Sequence, residues 1–297
     1  MSNQNCYLDR DGKELPIPVS NNRLLERLFR NPAGRFLLKL ASGPVYSNIQ
    51  RVFLDSPFSA FFISGFVKKN GIRLSDYPRK RYRSFEDFFT REIRPGKRKN
   101  SGNGSNLISP CDCKAEVHRI GETSHFRIKD VDYTVGELLE NVEAAGEFCG
   151  GWLFLLRLSV EDYHHYCYPC SGRKEADISI AGKLYTVNPM IHRFEKVYRE
   201  NARTYSYISG ENGRRLLMME VGALGVGRIK NELVGEGSVL QGADMGHFEF
   251  GGSTILLLVP KESFLPSEDL VRNTGKGFET VVKQGEEIGY AYNSGAY

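Results

Sequence analysis

Phe248-Glu249-Phe250-Gly251-Gly252-Ser253-Thr254-Ile255-Leu256-Leu257-Leu258-Val259-Pro260 runs from a glycine turn into an unbroken aliphatic stretch. Ile255 to Val259 is too short to span a membrane and too continuous for a half-exposed strand, so it predicts a buried strand closed by Pro260. Ser253 therefore stands where a pliable turn feeds a rigid core element. Gly251 and Gly252 permit backbone angles that a side chain forbids and let another group approach the peptide bond. That suits chemistry on the Gly252–Ser253 bond itself. The plainer reading is a tight turn before a core strand, and the stretch alone leaves both open.

Around this stretch lies a chain of 297 residues, long enough for one large domain or two small ones. With 40% apolar and 26% charged residues it has the composition of a soluble globular protein. A net charge of +4 fits an anionic membrane surface or an anionic substrate, and no nucleic-acid partner is expected. No apolar run reaches transmembrane length. Met1 to Pro18 mixes Asp9, Asp11 and Glu14 with Arg10 and Lys13, without the apolar core of a signal peptide, so a cytosolic start is expected.

Cysteines stand at 6, 111, 113, 149, 167 and 170, and are expected as reduced thiols. Cys111 with Cys113, and Cys167 with Cys170, lie close enough together, with His164 and His165 nearby, to raise zinc. Each pair alone is a weak signal, and no metal site is assigned.

Residues 20 to 70 read as helical. Leu24, Leu25, Leu28 and Phe29 recur at helical spacing behind a cap at Asn21 or Asn22, and Phe36, Leu37, Leu38 and Leu40 continue the pattern until Gly43-Pro44. A second segment, Phe53 through Phe66, carries Phe58, Phe61, Phe62 and Ile63, with Lys68 and Lys69 at its end. Such a face suits a helix lying in a bilayer interface, or equally one packed on a core. Arg79, Lys80, Arg81, Arg83, Arg91, Arg94, Lys97 and Arg98 make residues 78–98 basic, and Ser84 with Asp87 predicts a capped helix start. Lys99 to Asn106 is a polar loop and the best internal boundary. Beyond Leu107 short strands dominate, with a helix over Thr134 to Ala145 and strands over Trp152 to Val160 and Leu216 to Val226. Gln241-Gly242-Ala243-Asp244-Met245-Gly246-His247 is echoed by Gln284-Gly285-Glu286-Glu287-Ile288-Gly289-Tyr290, which suggests two related hairpins in a sandwich or barrel.

Beside Ser253, three places bear chemistry. Asp112, after Ser109-Pro110-Cys111, either accepts backbone bonds in a turn or orients a histidine. His164 and His165 follow the Trp152 strand, placed as a general base or as surface residues. His247 lies six residues before Ser253. A nucleophile elbow is unsupported, because residue 255 is Ile, and no Walker or dinucleotide glycine pattern occurs.

Taken in order, Ser84-Phe85-Glu86-Asp87-Phe88-Phe89-Thr90-Arg91, Ile108-Ser109-Pro110-Cys111-Asp112, Asp162-Tyr163-His164, Leu184-Tyr185-Thr186-Val187-Asn188-Pro189, Glu220-Val221-Gly222-Ala223 and the Gly-Gly-Ser-Thr stretch resemble the bacterial phosphatidylserine decarboxylase proenzymes. The resemblance covers about Tyr82 to the C-terminus and is looser before it. It implies an α+β protein: an N-terminal helical, membrane-associating region over 1–100, then a mainly antiparallel β sandwich or barrel-like catalytic domain over 107–297. It implies self-cleavage between Gly252 and Ser253, with Ser253 converted to a pyruvoyl group, His164 as the base and Asp112 orienting it. The pyruvoyl carbonyl would then condense with the amine of phosphatidylserine in a membrane and withdraw electrons as carbon dioxide leaves, giving phosphatidylethanolamine. The implied partners are the cleaved α and β chains as a heterodimer, with a homo-oligomer left open. The implied place is the cytoplasmic side of the cell membrane, bound peripherally. Two departures stand out. Cys167 replaces the family's second histidine, read as a subfamily trait, and leaves His165 and Cys167 as secondary candidates for the base. His247 replaces the usual tyrosine. The alternatives are a pyruvoyl-type homologue acting on another amine, or a non-catalytic membrane-surface protein with a zinc-stabilised β domain.

Overall fold

The computed structural model describes residues 6–17, 31, 34, 44–98, 100–102, 104–128, 131–182, 197–210, 213–222, 229–251 and 253–292. The helix expected through Leu24 to Leu40, with its cap at Asn21 or Asn22, lies outside them, as do the Leu184–Pro189 motif, Ala223 and Gly252.

The described residues form an α+β protein whose strands pair almost entirely antiparallel. In chain order the strands begin with β1 (Cys6–Leu8), β2 (Glu14–Pro16), β3 (Leu107–Ile108), β4 (Cys113–Arg119), β5 (His125–Ile128) and β6 (Val131–Thr134). They continue with β7 (Trp152–Leu158), β8 (His165–Cys167), β9 (Gly172–Lys174), β10 (Ile178–Ile180), β11 (Arg203–Ser209), β12 (Arg215–Val221) and β13 (Ile229–Asn231). The last are β14 (Gly237–Val239), β15 (Asp244–Phe248), β16 (Ser253–Val259), β17 (Phe264–Pro266), β18 (Thr280–Val282) and β19 (Glu287–Ala291).

An aliphatic strand with no polar face must be covered on both sides and flanked at both edges. β16 meets both demands: every residue of it is buried, and it runs between β12 and β7 in the main sheet, ordered β14-β9-β11-β12-β16-β7-β4-β18-β1-β2 with β10 beside β11. Its neighbours are equally apolar, with Leu216 to Met219 on one side and Leu153 to Leu156 on the other, so the core of the molecule is built around it. Thr254 pairs with Val221 and Arg157, which makes Ser253, opposite Leu158, the first residue of the strand. Residues 6–16, assigned by sequence to the helical region, instead form a hairpin that extends this sheet, with β1 parallel to β18.

The echoed glycine motifs occupy matching places. β15 is the middle strand of β13-β15-β8, and β19 is the middle strand of β17-β19-β3. Gly246 and Gly289 lie where a Cβ would strike a neighbouring carbonyl, at 2.0 Å from Lys230 O and 2.6 Å from Leu265 O, so only glycine fits. The preceding glutamines also correspond: Gln241 Nε2 donates to Asn106 O and Pro169 O, and Gln284 Nε2 to Pro110 O and His165 O. The Gln241 amide donates to Ser171 Oγ at 2.9 Å, and the Gln284 amide to Asp112 Oδ1 at 3.0 Å.

Two expected helices are interrupted. The segment Phe53 through Phe66 divides into a helix Pro44–Asp55, a 3-10 turn Pro57–Phe62 and a helix Ile63–Asn70. Pro57 is the cause: it lacks an N–H and drives Ser56 to an extended conformation, φ −73° and ψ 147°. Thr134 to Ala145 divides at Glu140, with φ +51°, into Val135–Leu139, capped by a Thr134–Glu137 box, and Val142–Ala145, capped by Asn141. Leu54, Phe85 and Phe89 form a second small core, with Ile63, Phe66 and Phe250 packed against it. Val52, Phe53, Phe58, Phe61 and Phe62 of the same region face solvent. No helix among the described residues is long and apolar enough to cross a membrane.

Candidate active site

Ser253 is fully buried, and its Oγ has no hydrogen-bond partner among the described residues. Gly251, two residues earlier, has φ +145°, a conformation that an L side chain rarely adopts. Phe250 precedes it and is held on three sides. Its ring meets Phe85 at 5.1 Å and Phe89 at 4.9 Å between centroids, and its N–H donates to the Glu86 carboxylate at 3.1 and 3.3 Å. The short helix Phe85–Phe89 that supplies these groups starts at Ser84, whose Oγ accepts the Asp87 amide at 3.1 Å.

His164 reaches the same place from the turn after β7. It is fully buried, with its ring 4.1 Å from that of Phe89, and its carbonyl accepts the Phe248 N–H at 3.0 Å. Its Nδ1 lies 3.0 Å from the carbonyl of Asp162, which fixes the proton on Nδ1 and leaves a lone pair on Nε2, a buried atom with no partner among the described residues. Burial pushes its pKa down to about 4, against the pull of Asp162, so the ring is neutral at neutral pH. Asp162 is itself fixed, taking Lys114 Nζ at 2.6 Å and the Ser159 amide at 2.8 Å.

Asp112 does not make the orienting contact expected of it. Its carboxylate takes Arg98 Nε at 2.7 Å, Lys283 Nζ at 3.1 Å and the Gln284 amide. Burial alone would raise its pKa, but Arg98 and Lys283 hold it below the usual carboxylate range. It caps the turn before β19, the place that Ser171 takes before β15, and the proton on His164 Nδ1 is held by a backbone carbonyl instead.

The secondary candidates stand differently. His165 has both nitrogens engaged, Nδ1 at 3.3 Å from Asp244 and Nε2 at 3.1 Å from Thr90 O, and it stacks between Tyr163 and His247. Burial works against its charge, but those two acceptors raise its pKa on balance. The Cys167 thiol is pushed up to about 12 by burial and faces Ser109 O. His247 lies opposite His165 and Lys230 on β15, its pKa lowered by burial and by those cations, its Nδ1 buried without a partner. His164 and His247 both join a lowered pKa to an unused buried nitrogen, and what sets His164 apart is that Asp162 O fixes its Nδ1 proton and its ring packs on Phe89, which holds Phe250. All six cysteines are free, and among the described residues no group of three or more His, Cys, Asp or Glu side chains could hold a metal ion.

Two carboxyls whose pKa values are strongly raised went unassigned in the sequence, one half-buried and one fully buried. Glu86 is raised to about 7 by burial. Glu220 is fully buried on β12, opposite Ile255 and so on the same sheet face as Ser253, and burial with Asp177 nearby raises it to about 8. Both belong to motifs already singled out, but nothing in the spacing of either marks a carboxyl as buried.

A family model described as phosphatidylserine decarboxylase matches residues 85–290. The chain is 40% identical over 283 residues to phosphatidylserine decarboxylase proenzyme 2 of Clostridium acetobutylicum, covering 95% of this chain and 97% of that protein. It is 34% identical over 276 residues to the phosphatidylserine decarboxylase proenzyme of Ruminiclostridium cellulolyticum, covering 91% and 92%. The proenzyme of Clostridium novyi is 32% identical over 276 residues, covering 91% and 94%.

Proposed function

The chain belongs to the phosphatidylserine decarboxylase family, and from that premise we propose how it works. It is a carboxy-lyase that turns phosphatidylserine into phosphatidylethanolamine, and it is made as a proenzyme. Ser253 Oγ attacks the carbonyl carbon of Gly252. The C–N bond breaks as the C–O bond forms, and the hydroxyl proton passes through His164 Nε2 to the freed amine. Elimination at residue 253 releases the Gly252 carboxylate, and hydrolysis sheds ammonia, leaving a pyruvoyl group at the head of the second chain. The β chain is Met1 to Gly252 and the α chain Ser253 to Tyr297.

The observation that carries this reading is the Ser253 hydroxyl, wholly buried at the head of a core strand with no hydrogen-bond partner among the described residues. A buried polar atom without a partner is costly to keep unless it has chemistry to do. The same burial gives a pyruvoyl group at this position a low-dielectric setting, in which electrostatic effects on the substrate are stronger than in water. That group supplies an electron-withdrawing carbonyl that accepts the substrate amine and takes up the charge left as carbon dioxide departs. His164, neutral and with its lone pair on Nε2, supports the role of base.

A lipid substrate must be met at a bilayer. Phe58, Phe61 and Phe62, exposed at 74%, 83% and 59%, with Lys68 and Lys69 ending the next helix, support a surface that enters the headgroup layer of the cytoplasmic leaflet. The region 1–100 is then the membrane-associating part and 107–297 the catalytic part. The protein is peripheral to the cell membrane.

The test is an assay on phosphatidylserine vesicles. The purified protein is expected to release carbon dioxide and form phosphatidylethanolamine, and Ser253→Ala to remain one chain and release none. A cleaved protein that acts on free serine or another amine and spares phosphatidylserine would overturn the substrate assignment.

A further inference from the structure

We propose that Glu86 is a positioning residue for self-cleavage, its carboxylate gripping the Phe250 N–H so that the turn through Gly251 presents the Gly252–Ser253 bond to Ser253 Oγ. This rests on the self-cleavage reading given above.

Phe250 is held by both its backbone and its ring. The amide is held by both carboxylate oxygens of Glu86, at 3.1 and 3.3 Å, and the ring by Phe85 and Phe89 from the same short helix. Phe89 also packs on His164, at 4.1 Å, so one helix touches both the segment ahead of the scissile bond and the candidate base. The helix is fixed from behind. Ser59 Oγ accepts the Phe85 amide at 2.7 Å and is itself tied to Leu54 O and Ser56 O. An intramolecular attack gains rate from holding the reacting atoms in place, and a displacement of about 1 Å costs on the order of a hundredfold. Gly251 needs such holding most, since glycine at φ +145° has no side chain to fix its conformation.

The choice of a carboxylate has a consequence. Glu86 is raised to about 7 by burial, and the hydrogen bond from Phe250 pulls the other way by favouring the ionised form. By linkage, the ionised form grips the amide harder than the neutral form. The charged groups facing Glu86 are Glu249 from the segment after β15, Asp55 from the helix Pro44–Asp55 and Lys230 from β13. The two carboxylates raise its pKa and the lysine lowers it. Glu249 is paired with Lys230 at 2.9 Å. Cleavage should therefore quicken as pH rises through about 7. His164, neutral above about 4, contributes nothing to that limb.

The experiment follows newly synthesised full-length precursor in a cell-free system. Conversion of one chain to two is timed between pH 5.5 and 8.5 for the wild type, Glu86→Ala, Glu86→Gln and Ser253→Ala, and melting temperatures are read on each product. Glu86→Ala is expected to cleave at least ~tenfold more slowly at pH 8, the factor carried by one charge-assisted hydrogen bond. Glu86→Gln keeps an acceptor for the amide, so it is expected to recover much of that rate and to lose the pH dependence near 7. A merely structural Glu86 would lower the melting temperature without moving the pH profile. Wild-type rates in Glu86→Ala, or a limb near 7 that persists in Glu86→Gln, would overturn the inference. A wild type that stays one chain would overturn the self-cleavage reading instead.

Discussion

Asp162 offers His164 only its backbone carbonyl, and its carboxylate goes to Lys114 and the Ser159 amide. The loop is thereby set rigidly, and the histidine keeps one lone pair free in a dry site. His164→Ala is expected to slow self-cleavage by ~10²-fold or more, the usual weight of a general base. His165→Ala and Cys167→Ala should stay within a few-fold, as followed by gel after a pulse of synthesis. Because the neutral imidazole is the basic form and its pKa lies at about 4, Glu86→Gln should hold its cleavage rate down to about pH 5 and lose it towards 4. Asp112 belongs to stability. Asp112→Ala removes the acceptor of Arg98, Lys283 and the Gln284 amide; both cations reach solvent in part, so the expected cost is ~1–3 kcal/mol, measurable by urea titration. Its folded pKa is depressed, so its stabilisation is present above the ordinary carboxylate value of ~3.9 and disappears as pH falls through the lower folded value. The positions of Ser253 and the histidine pair were legible in the sequence because the serine heads one recognisable apolar strand and the histidines follow another. The partners of Asp112 were not, since Lys283 is 171 positions away and only the sheet brings it near.

Among the elements, β16 was readable from its unbroken aliphatic run, and the echoed Gln-Gly motifs from their spacing alone. What spacing could not supply was the irregularity that serves the site. The helix Phe53 to Phe66 reads as continuous on its apolar residues, but Pro57 breaks it and turns Phe58, Phe61 and Phe62 away from Leu54, Ile63 and Phe66. The result is an element with two apolar faces, one packed under the helix that grips Phe250 and one exposed. Replacing Phe58, Phe61 and Phe62 together by Ser is expected to weaken binding to vesicles rich in anionic lipid by ~tenfold or more, since each ring is worth ~1.5–3 kcal/mol when fully buried and less in an interface. Because these rings face solvent, the melting temperature should hardly move. Vesicle flotation beside a thermal melt checks both.

For the molecule as a whole, a cut between residues 252 and 253 leaves the second chain in the middle of the first. β16 is paired along its length with β7 and over five residues with β12; β18 lies between β4 and β1, and β19 between β17 and β3. The N-terminal hairpin adds Arg10, which bonds Asp269 and the Glu287 carbonyl. The α and β chains are therefore expected to elute together from a sizing column in native buffer and to part in ~6 M guanidinium, a concentration that unfolds most domains. The sequence missed that hairpin, because three-residue strands in a polar segment carry almost no periodicity. The measurement that tests the central claim most directly is the intact mass of the purified protein after denaturation. Two chains ending and starting at the Gly252–Ser253 bond, the shorter lighter by one ammonia than a chain begun with serine, is the result this account predicts. One chain of full mass from a folded, monodisperse sample would contradict it.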